Sequence, residues 1–333
     1  MSFVINFMTT RSCNLECFHC CIDALPLSFS DLPDKKHLEN LLTRTLDFCR
    51  YLRFFGDIEF VFYGGEPFCL PEGVLFSLTE NFTQVAISEK LFSNVRVLTN
   101  LMYDNKIKNF IKHFSYISIS TSFDPIIRFK NKHLESKWLR TYRGLRESIE
   151  ICVDFTLTRY LVGFDFIKFV VENGIDNFSV SLLRYIGRAR RHWNSLSIPL
   201  NVASCFLTKI TSELPYNYIK TFIDNLKLSG MKCHSSCADV FLIDLNGDVY
   251  LGTGCNMIFL GNLFKENYEN IFFSPKRLEV INSFPEECRF CDYFDICRGG
   301  CLNLRSLYKE FLHKDGECIG LKSLLEKVFK NEA

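Results

Sequence analysis

The chain has 333 residues, 47% hydrophobic and 23% charged, which excludes wholesale disorder and suffices for one large domain with a smaller appendage. Thirty-nine Lys and Arg balance 38 Asp and Glu, so bulk charge offers nothing to a nucleic acid. The anomaly is sixteen cysteines.

Residues 3–10 (FVINFMTT) form a short apolar, β-branched run that predicts a strand. Similar runs recur at 57–63, 95–100, 116–122, 151–158 and 177–183. Helical periodicity fills the intervals at 34–54, 72–90, 104–113, 137–150 and 164–173. Strand and helix alternating in this way predict an α/β fold of parallel βαβ units, with right-handed crossovers and a curved or closed sheet. In such barrels the chemistry sits on loops leaving the C-terminal ends of the strands.

After residue 186 the rhythm changes. Residues 187–230 read as a connecting segment ending in a helix near 215–229. A strand–turn–strand signal follows at 239–251, turning at Asn246-Gly247. The expected division is therefore 1–186, 187–230 and a cysteine-rich unit at 231–333. The basic stretch Arg184, Arg188, Arg190, Arg191 and His192 is either a solvated connector or a site for an acidic or phosphorylated ligand.

Met1–Thr10 carries no basic lead into an apolar core, and no window approaches 18 uninterrupted apolar residues. A cytoplasmic chain with no membrane contact is expected, in which thiols stay reduced. Clustered cysteines then read as metal ligands or catalytic groups.

The first cluster, Cys13-Asn-Leu-Glu-Cys17-Phe-His-Cys20, follows the first strand directly. On a helix these three positions would share one face as small buried residues. On a loop, where this segment falls, three thiolates can converge on one iron–sulfur cluster. A four-iron cluster held by three thiolates keeps one iron open, which a catalytic site needs and a structural one does not.

This spacing, with His19 in the slot before the last cysteine, resembles the radical S-adenosylmethionine (SAM) superfamily. Tyr63-Gly64-Gly65-Glu66-Pro67, closing the second strand, looks like the GGEP motif of that family. The resemblance implies a partial (β/α)6 radical SAM barrel in which Cys13, Cys17 and Cys20 hold a 4Fe-4S cluster and SAM chelates its open iron. One electron then cleaves SAM to methionine and a 5′-deoxyadenosyl radical that takes a substrate hydrogen. Backbone at Gly64–Glu66 would hold the methionine amine, near Tyr63 and Thr99. Glu66 can itself accept a hydrogen bond from an ammonium. Ser120 or Ser122 would bind the ribose. Arg140 or Arg143 would pair with the SAM carboxylate through the guanidinium fork. Leu101 stands where relatives often carry glycine.

The second set is Cys288-x2-Cys291-x5-Cys297-x3-Cys301, then Cys318, with Cys233, Cys237 and Cys255 upstream. By spacing alone, zinc competes. The series, with Gly247-Asp-Val-Tyr before Cys255 and Gly261-Asn262-Leu263 after it, resembles the α+β SPASM extension. By that resemblance Cys233, Cys237, Cys255 and Cys301 hold one auxiliary 4Fe-4S cluster, and Cys288, Cys291, Cys297 and Cys318 another. Relatives usually place a cysteine at the position of Gly252, so Cys255 would serve from a longer loop. Cys21, Cys49, Cys69, Cys152 and Cys205 remain, and their default is small buried hydrophobes, although Cys21 adjoins the cysteine loop and Cys69 adjoins GGEP, so either could face the active site.

The resemblance implies oxidative modification or cross-linking of a side chain in a ribosomally made peptide. An external one-electron donor such as flavodoxin or ferredoxin would be needed. Because the chain starts at its first strand, a separate leader-binding protein or the barrel mouth itself would present the peptide. Sulfatase maturases carry an aspartate base after an auxiliary-cluster cysteine; here Asn256 follows Cys255, and an amide cannot take that proton. The other readings are a dehydrogenase or epimerase of a small alcohol or amino sugar, and a non-enzymatic electron-transfer or zinc scaffold.

Overall fold

The computed structural model describes residues 2–225, 237–252, 258–284 and 286–294, the short pairs 313–314, 317–318 and 325–326, and residue 322. Six strands run parallel in chain order: β1 (Ser2–Thr10), β2 (Asp57–Gly64), β3 (Asn94–Leu98), β4 (Ser118–Ser122), β5 (Ile151–Leu157) and β6 (Phe178–Leu182). Their crossovers carry α1 (Lys35–Arg53), α2 (Glu72–Glu89), α3 (Asp104–His113), α4 (Lys132–Leu145) and α5 (Phe166–Asn173). These are the six predicted strands and five predicted helices. Helix α4 opens at Lys132, before the expected 137, because the Asn131 side chain accepts from Leu134 N at 3.0 Å and caps it.

The period-two alternation of the strands divides the sheet into two faces. Phe3, Ile5, Phe7, Phe60, Phe62, Val97, Ile119, Val153, Phe155 and Phe178 are buried in the main core with the helices. Much of the phenylalanine content ends here, as in the contacts of Phe60 with Phe82 (ring centroids 4.5 Å apart) and Phe123 with Phe169 (4.4 Å). The alternate residues of the same strands line a cavity instead. One face of the sheet therefore packs against helices, and the other carries the polar side chains Asn6, Glu59, Arg96, Ser120, Asp154 and Ser179 into the cavity.

The sheet does not stop at the six strands. Strand β7 (Val240–Ile243) pairs parallel with β1, from Val4↔Val240 to Phe7↔Ile243. Strands β8 (Asp248–Leu251) and β9 (Ile258–Asn262) continue it antiparallel, giving a linear order with β9 and β6 at the edges. The predicted turn at Asn246-Gly247 joins β7 to β8, with Gly247 at φ +80° and Asp244 Oδ1 accepting from Asn246 N at 2.8 Å. Arg277 secures this extension. It is 3% exposed, lies over the ring of Phe272 at 4.2 Å, donates to Ala238 O at 2.7 Å and pairs with Asp239 at 3.3 Å.

The connecting segment holds more helix than its sequence suggests. Helix α6 (Leu200–Glu213) precedes α7 (Tyr216–Asn225), where one helix was expected. Pro199 at its N-cap makes no side-chain cap bond, so the usual start signal is missing. Among the described residues, no helix is long and apolar enough to cross a membrane.

Candidate active site

Between β1 and α1, Ser12–Cys13 pairs in parallel with Leu25–Pro26 and residues 14–24 form an irregular loop, which decides against a helix face for the three cysteines. Leu25 N donates to Arg11 O at 2.9 Å and closes that loop on itself. Cys13 and Cys17 are buried, Cys20 is half-buried, and all three are unbridged and line one cavity of about 350 Å³. Backbone N–H groups point at the sulfurs, from Leu15 to Cys13 at 3.4 Å and from Ala24 to Cys20 at 3.3 Å. Burial, helped by the Glu66 carboxylate, pushes the Cys13 thiol up to about 12, so a metal must displace its proton on binding. Among the described residues no three His, Cys, Asp or Glu side chains converge on a single-ion site. The three thiols sit on one loop and open on one cavity, a donor set of the kind that iron–sulfur clusters take.

The end of β2 presses against this loop. Gly65 N donates to Thr10 O at 2.8 Å and Glu66 N to Ser12 O at 3.0 Å. A Cβ on Gly64, at φ +146°, would collide with the Thr10 carbonyl, and one on Gly65 with the Ser12 carbonyl. The close approach that these glycines permit is therefore to the cysteine loop's own backbone. Glu66 is fully buried. Its Oε1 accepts from Thr99 Oγ1 at 2.8 Å and Phe68 N at 3.1 Å, and its Oε2 from Asn100 N at 2.6 Å. The side chain expected to meet an ammonium thus ties the end of β2 to the end of β3. Burial still pushes its carboxyl up to about 7 against those donors. Leu101, at the position where relatives often carry glycine, is left-handed at φ +60° and wholly buried.

His19 Nε2 lies 2.9 Å from Asp124 Oδ2, and Arg128 Nε lies 3.1 Å from the same oxygen. Asp124 Oδ1 accepts from Thr156 N at 2.7 Å. Burial alone would raise this carboxyl, yet His19 and Arg128 hold it well below the usual carboxylate range. Among the described residues, the buried His19 Nδ1 atom has no hydrogen-bond partner. Asp124 and Arg128 escaped the sequence reading, whose only signal for them was an Asp-Pro-x-x-Arg run directly after β4. Arg140 is exposed on α4, and Arg143, also exposed, donates to Asn173 Oδ1 at 2.6 Å. Neither lines the cavity, whereas the mostly buried Arg128 does. Tyr63, Thr99, Ser120 and Ser122 also line it.

The basic stretch divides. Arg184 lines the cavity. Arg188 N donates to Cys20 O at 3.0 Å, and its side chain to Asp23 at 3.0 Å and to the Ala24 carbonyl. Arg191 donates to Asp23 at 2.6 Å, Arg190 Nε to Tyr185 O at 3.1 Å, and His192 stacks on Phe18 at 4.9 Å. Much of this stretch clamps the cysteine loop.

Of the five cysteines assigned to packing, Cys49 and Cys69 are buried. Cys21 and Cys152 line the cavity, Cys21 within 3.1 Å of the Tyr63 hydroxyl. Cys205 contradicts the packing expectation. It is exposed, because α6 turns that face outward. In the C-terminal set, Cys288 and Cys291 are half-buried, with Cys291 N donating to Cys288 O at 3.2 Å. Cys237 opens the turn before β7, and Cys318 lies in a two-residue strand. Cys233, Cys255, Asn256, Cys297 and Cys301 lie outside the described residues.

No family model matches the chain. The cysteine-type anaerobic sulfatase-maturating enzyme of Clostridium perfringens is 21% identical over 96% of this chain and 94% of its own. Native anSMEcpe, solved with bound AdoMet (SAM) and the Cp18Cys peptide, superposes with a TM-score of 0.71 at 18% identity, covering 99% of this chain and 96% of that one. Streptococcus suis SuiB bound to S-adenosylmethionine gives 0.57 at 17% identity, over 93% and 75%. The resemblance carried by Cys13–Cys20 and Gly64–Pro67 and the similarity found end to end agree: the chain carries the radical SAM fold, with anSMEcpe and SuiB among its structural neighbours.

Proposed function

We propose that this chain is a radical SAM enzyme that oxidatively modifies or cross-links a side chain of a ribosomally made peptide. The observation that carries the reading is the set of three buried or half-buried, unbridged thiols on one loop, opening on the cavity beside Gly64–Glu66.

Cys13, Cys17 and Cys20 would hold a 4Fe-4S cluster, and SAM would lie along the polar face of the strands. With SAM bound, such a cluster would supply the one electron needed for reductive cleavage of SAM. The chain's own residues bind and orient. Backbone at Gly64–Glu66 receives the methionine amine, with Thr99 and Asn100 holding Glu66 in place. Ser120 and Ser122 offer hydroxyls to the ribose. Arg128 takes the SAM carboxylate, because Asp124 engages its Nε on one side of the guanidinium while the residue lines the cavity. Asp124 also orients His19 through Nε2.

The SPASM reading of 231–333 stands with this proposal. Cys233, Cys237, Cys255 and Cys301 would hold one auxiliary cluster, and Cys288, Cys291, Cys297 and Cys318 the other. A peptide substrate is supported by the Cp18Cys peptide bound to anSMEcpe and the precursor peptide SuiA bound to SuiB. Asn256 argues that the bond formed differs from that made by sulfatase maturases. An external flavodoxin or ferredoxin would supply electrons, and a separate protein or the barrel mouth would present the peptide.

Anaerobic reconstitution tests this. The expected result is about twelve irons per chain for three four-iron clusters. Reduced protein given SAM should release 5′-deoxyadenosine, and mass spectrometry should find one modified member in a panel of synthetic peptides bearing Cys, Ser, Thr, Lys or Tyr. Absence of 5′-deoxyadenosine would sink the reading, and its release with no peptide changed would sink the peptide half.

A further inference from the structure

Among the described residues, four carboxylates line the cavity: Glu59, Glu66, Asp154 and Asp239. Three are engaged elsewhere. Glu59 pairs with Arg96, Asp239 pairs with Arg277, and both oxygens of Glu66 are taken by Thr99, Phe68 N and Asn100 N. Asp154 is different. It stands on β5 between Cys152 and Thr156, the other inward-facing residues of that strand. The β5–β6 register sets Ser179 directly opposite it. Asp154 Oδ1 accepts from the Ser179 hydroxyl, and from Ser181 Oγ at 3.4 Å. Its Oδ2 has no hydrogen-bond partner among the described residues, and the side chain keeps part of its surface open to the cavity.

A carboxylate with one oxygen held by two hydroxyls and the other left over is a preorganised acceptor. Holding Oδ1 fixes the plane of the group, and so the direction in which Oδ2 looks for a donor. Burial raises its affinity for a proton above that of an ordinary aspartate, although Ser179 and Arg184 work against this. A base poised in that direction is better suited to proton transfer than a fully solvated one.

We propose that Asp154 contacts the substrate, and that its Oδ2 accepts the proton of an O–H, N–H or S–H group on the side chain being modified. The bond broken is that heteroatom–hydrogen bond, and the bond formed is O–H on Asp154. No electron moves in this step. The inference rests on the function proposed above and narrows it, since it selects substrates whose reacting carbon carries or adjoins a heteroatom hydrogen.

Asp154→Asn keeps the shape and can still accept from Ser179, but it cannot take a proton. In the reconstituted enzyme, equilibrium dialysis with SAM should give a dissociation constant within about twofold of the wild type, while modification of the panel peptide falls at least ~100-fold. Release of 5′-deoxyadenosine should persist, so that cleavage and product become uncoupled. Ser179→Ala, which leaves the carboxylate but frees Oδ1, should fall between the two and guards against a folding artefact. Unchanged peptide modification in Asp154→Asn overturns the proposal. So does a parallel loss of SAM affinity and cleavage, which would assign Asp154 to SAM. A wild type that releases no 5′-deoxyadenosine, or modifies no peptide, rejects the underlying function instead.

Discussion

Arg188 Nε lies 3.0 Å from a carboxylate oxygen of Asp23, and the two are 165 residues apart in the chain. This pair fastens the exit of the cysteine loop to the segment that follows the sixth strand. Gly187, at φ +52°, makes the approach possible, since a Cβ there would strike the Cys20 carbonyl. The two-residue pairing of Ser12–Cys13 with Leu25–Pro26 holds only the ends of the loop, so the stretch with Cys17 and Cys20 depends on contacts such as this one.

Arg188→Ala removes that anchor while leaving every cysteine in place. The half-exposed Asp23 limits the direct loss in folding stability to about 1 kcal/mol. The larger effect should fall on the cluster. After anaerobic reconstitution and gel filtration, the variant should retain markedly less iron at Cys13, Cys17 and Cys20, and iron content equal to wild type would remove the anchoring role.

Arg128 and Arg143 make opposite predictions for SAM affinity. Arg128→Lys keeps the charge but loses the fork, and should weaken SAM binding by about tenfold. Arg143→Ala should leave it unchanged, since that side chain bonds Asn173 and does not line the cavity. Equilibrium dialysis of reconstituted protein compares the two, and the reverse ranking would restore α4 as the source of the carboxylate ligand.

Glu66 carries a pH signature. Its folded carboxyl is raised from 4.5 to about 7, so the folded chain holds that proton more tightly than the unfolded one. Its contribution to stability is present below about 4.5 and is lost as pH rises towards 7, on the order of 3 kcal/mol over that window. The metal-free protein should therefore show a melting temperature that declines across these pH values, with a shallower decline in Glu66→Gln. An equal slope in both proteins would mean that the proton resides elsewhere.

Gly65→Ala should be among the most damaging single-methyl additions in the chain. The new Cβ meets the Ser12 backbone, not a mobile side chain, so either β2 or the cysteine loop must shift. Gly73→Ala, where a Cβ meets nothing within 4 Å, serves as the control. Urea unfolding should show a loss of about 1–3 kcal/mol for the first, a typical overpacking cost, and little change for the second.

The strand–helix alternation, the three-cysteine spacing and the turn at Asn246-Gly247 are legible in the sequence because each depends on neighbours a few residues away. Alternation at β1–β6 reports one buried face wherever the strands later pair, and a C-x3-C-x2-C spacing confines three sulfurs to one short loop. The sequence by itself therefore determined the architecture of the first half and the candidate radical SAM motifs. It could not show that Arg128 lines the cavity while Arg140 and Arg143 do not, because helical spacing says nothing about which arginine meets the cavity. Nor could it show that Glu66 is spent on Thr99 and Asn100, that β7 adds to β1, or that Asp154 lines the cavity opposite Ser179. Those facts depend on strand order and register, which bring together residues tens to hundreds of positions apart. Only the tertiary structure decides them, since the free energy of burying or pairing a polar group is set by what faces it, not by what precedes it.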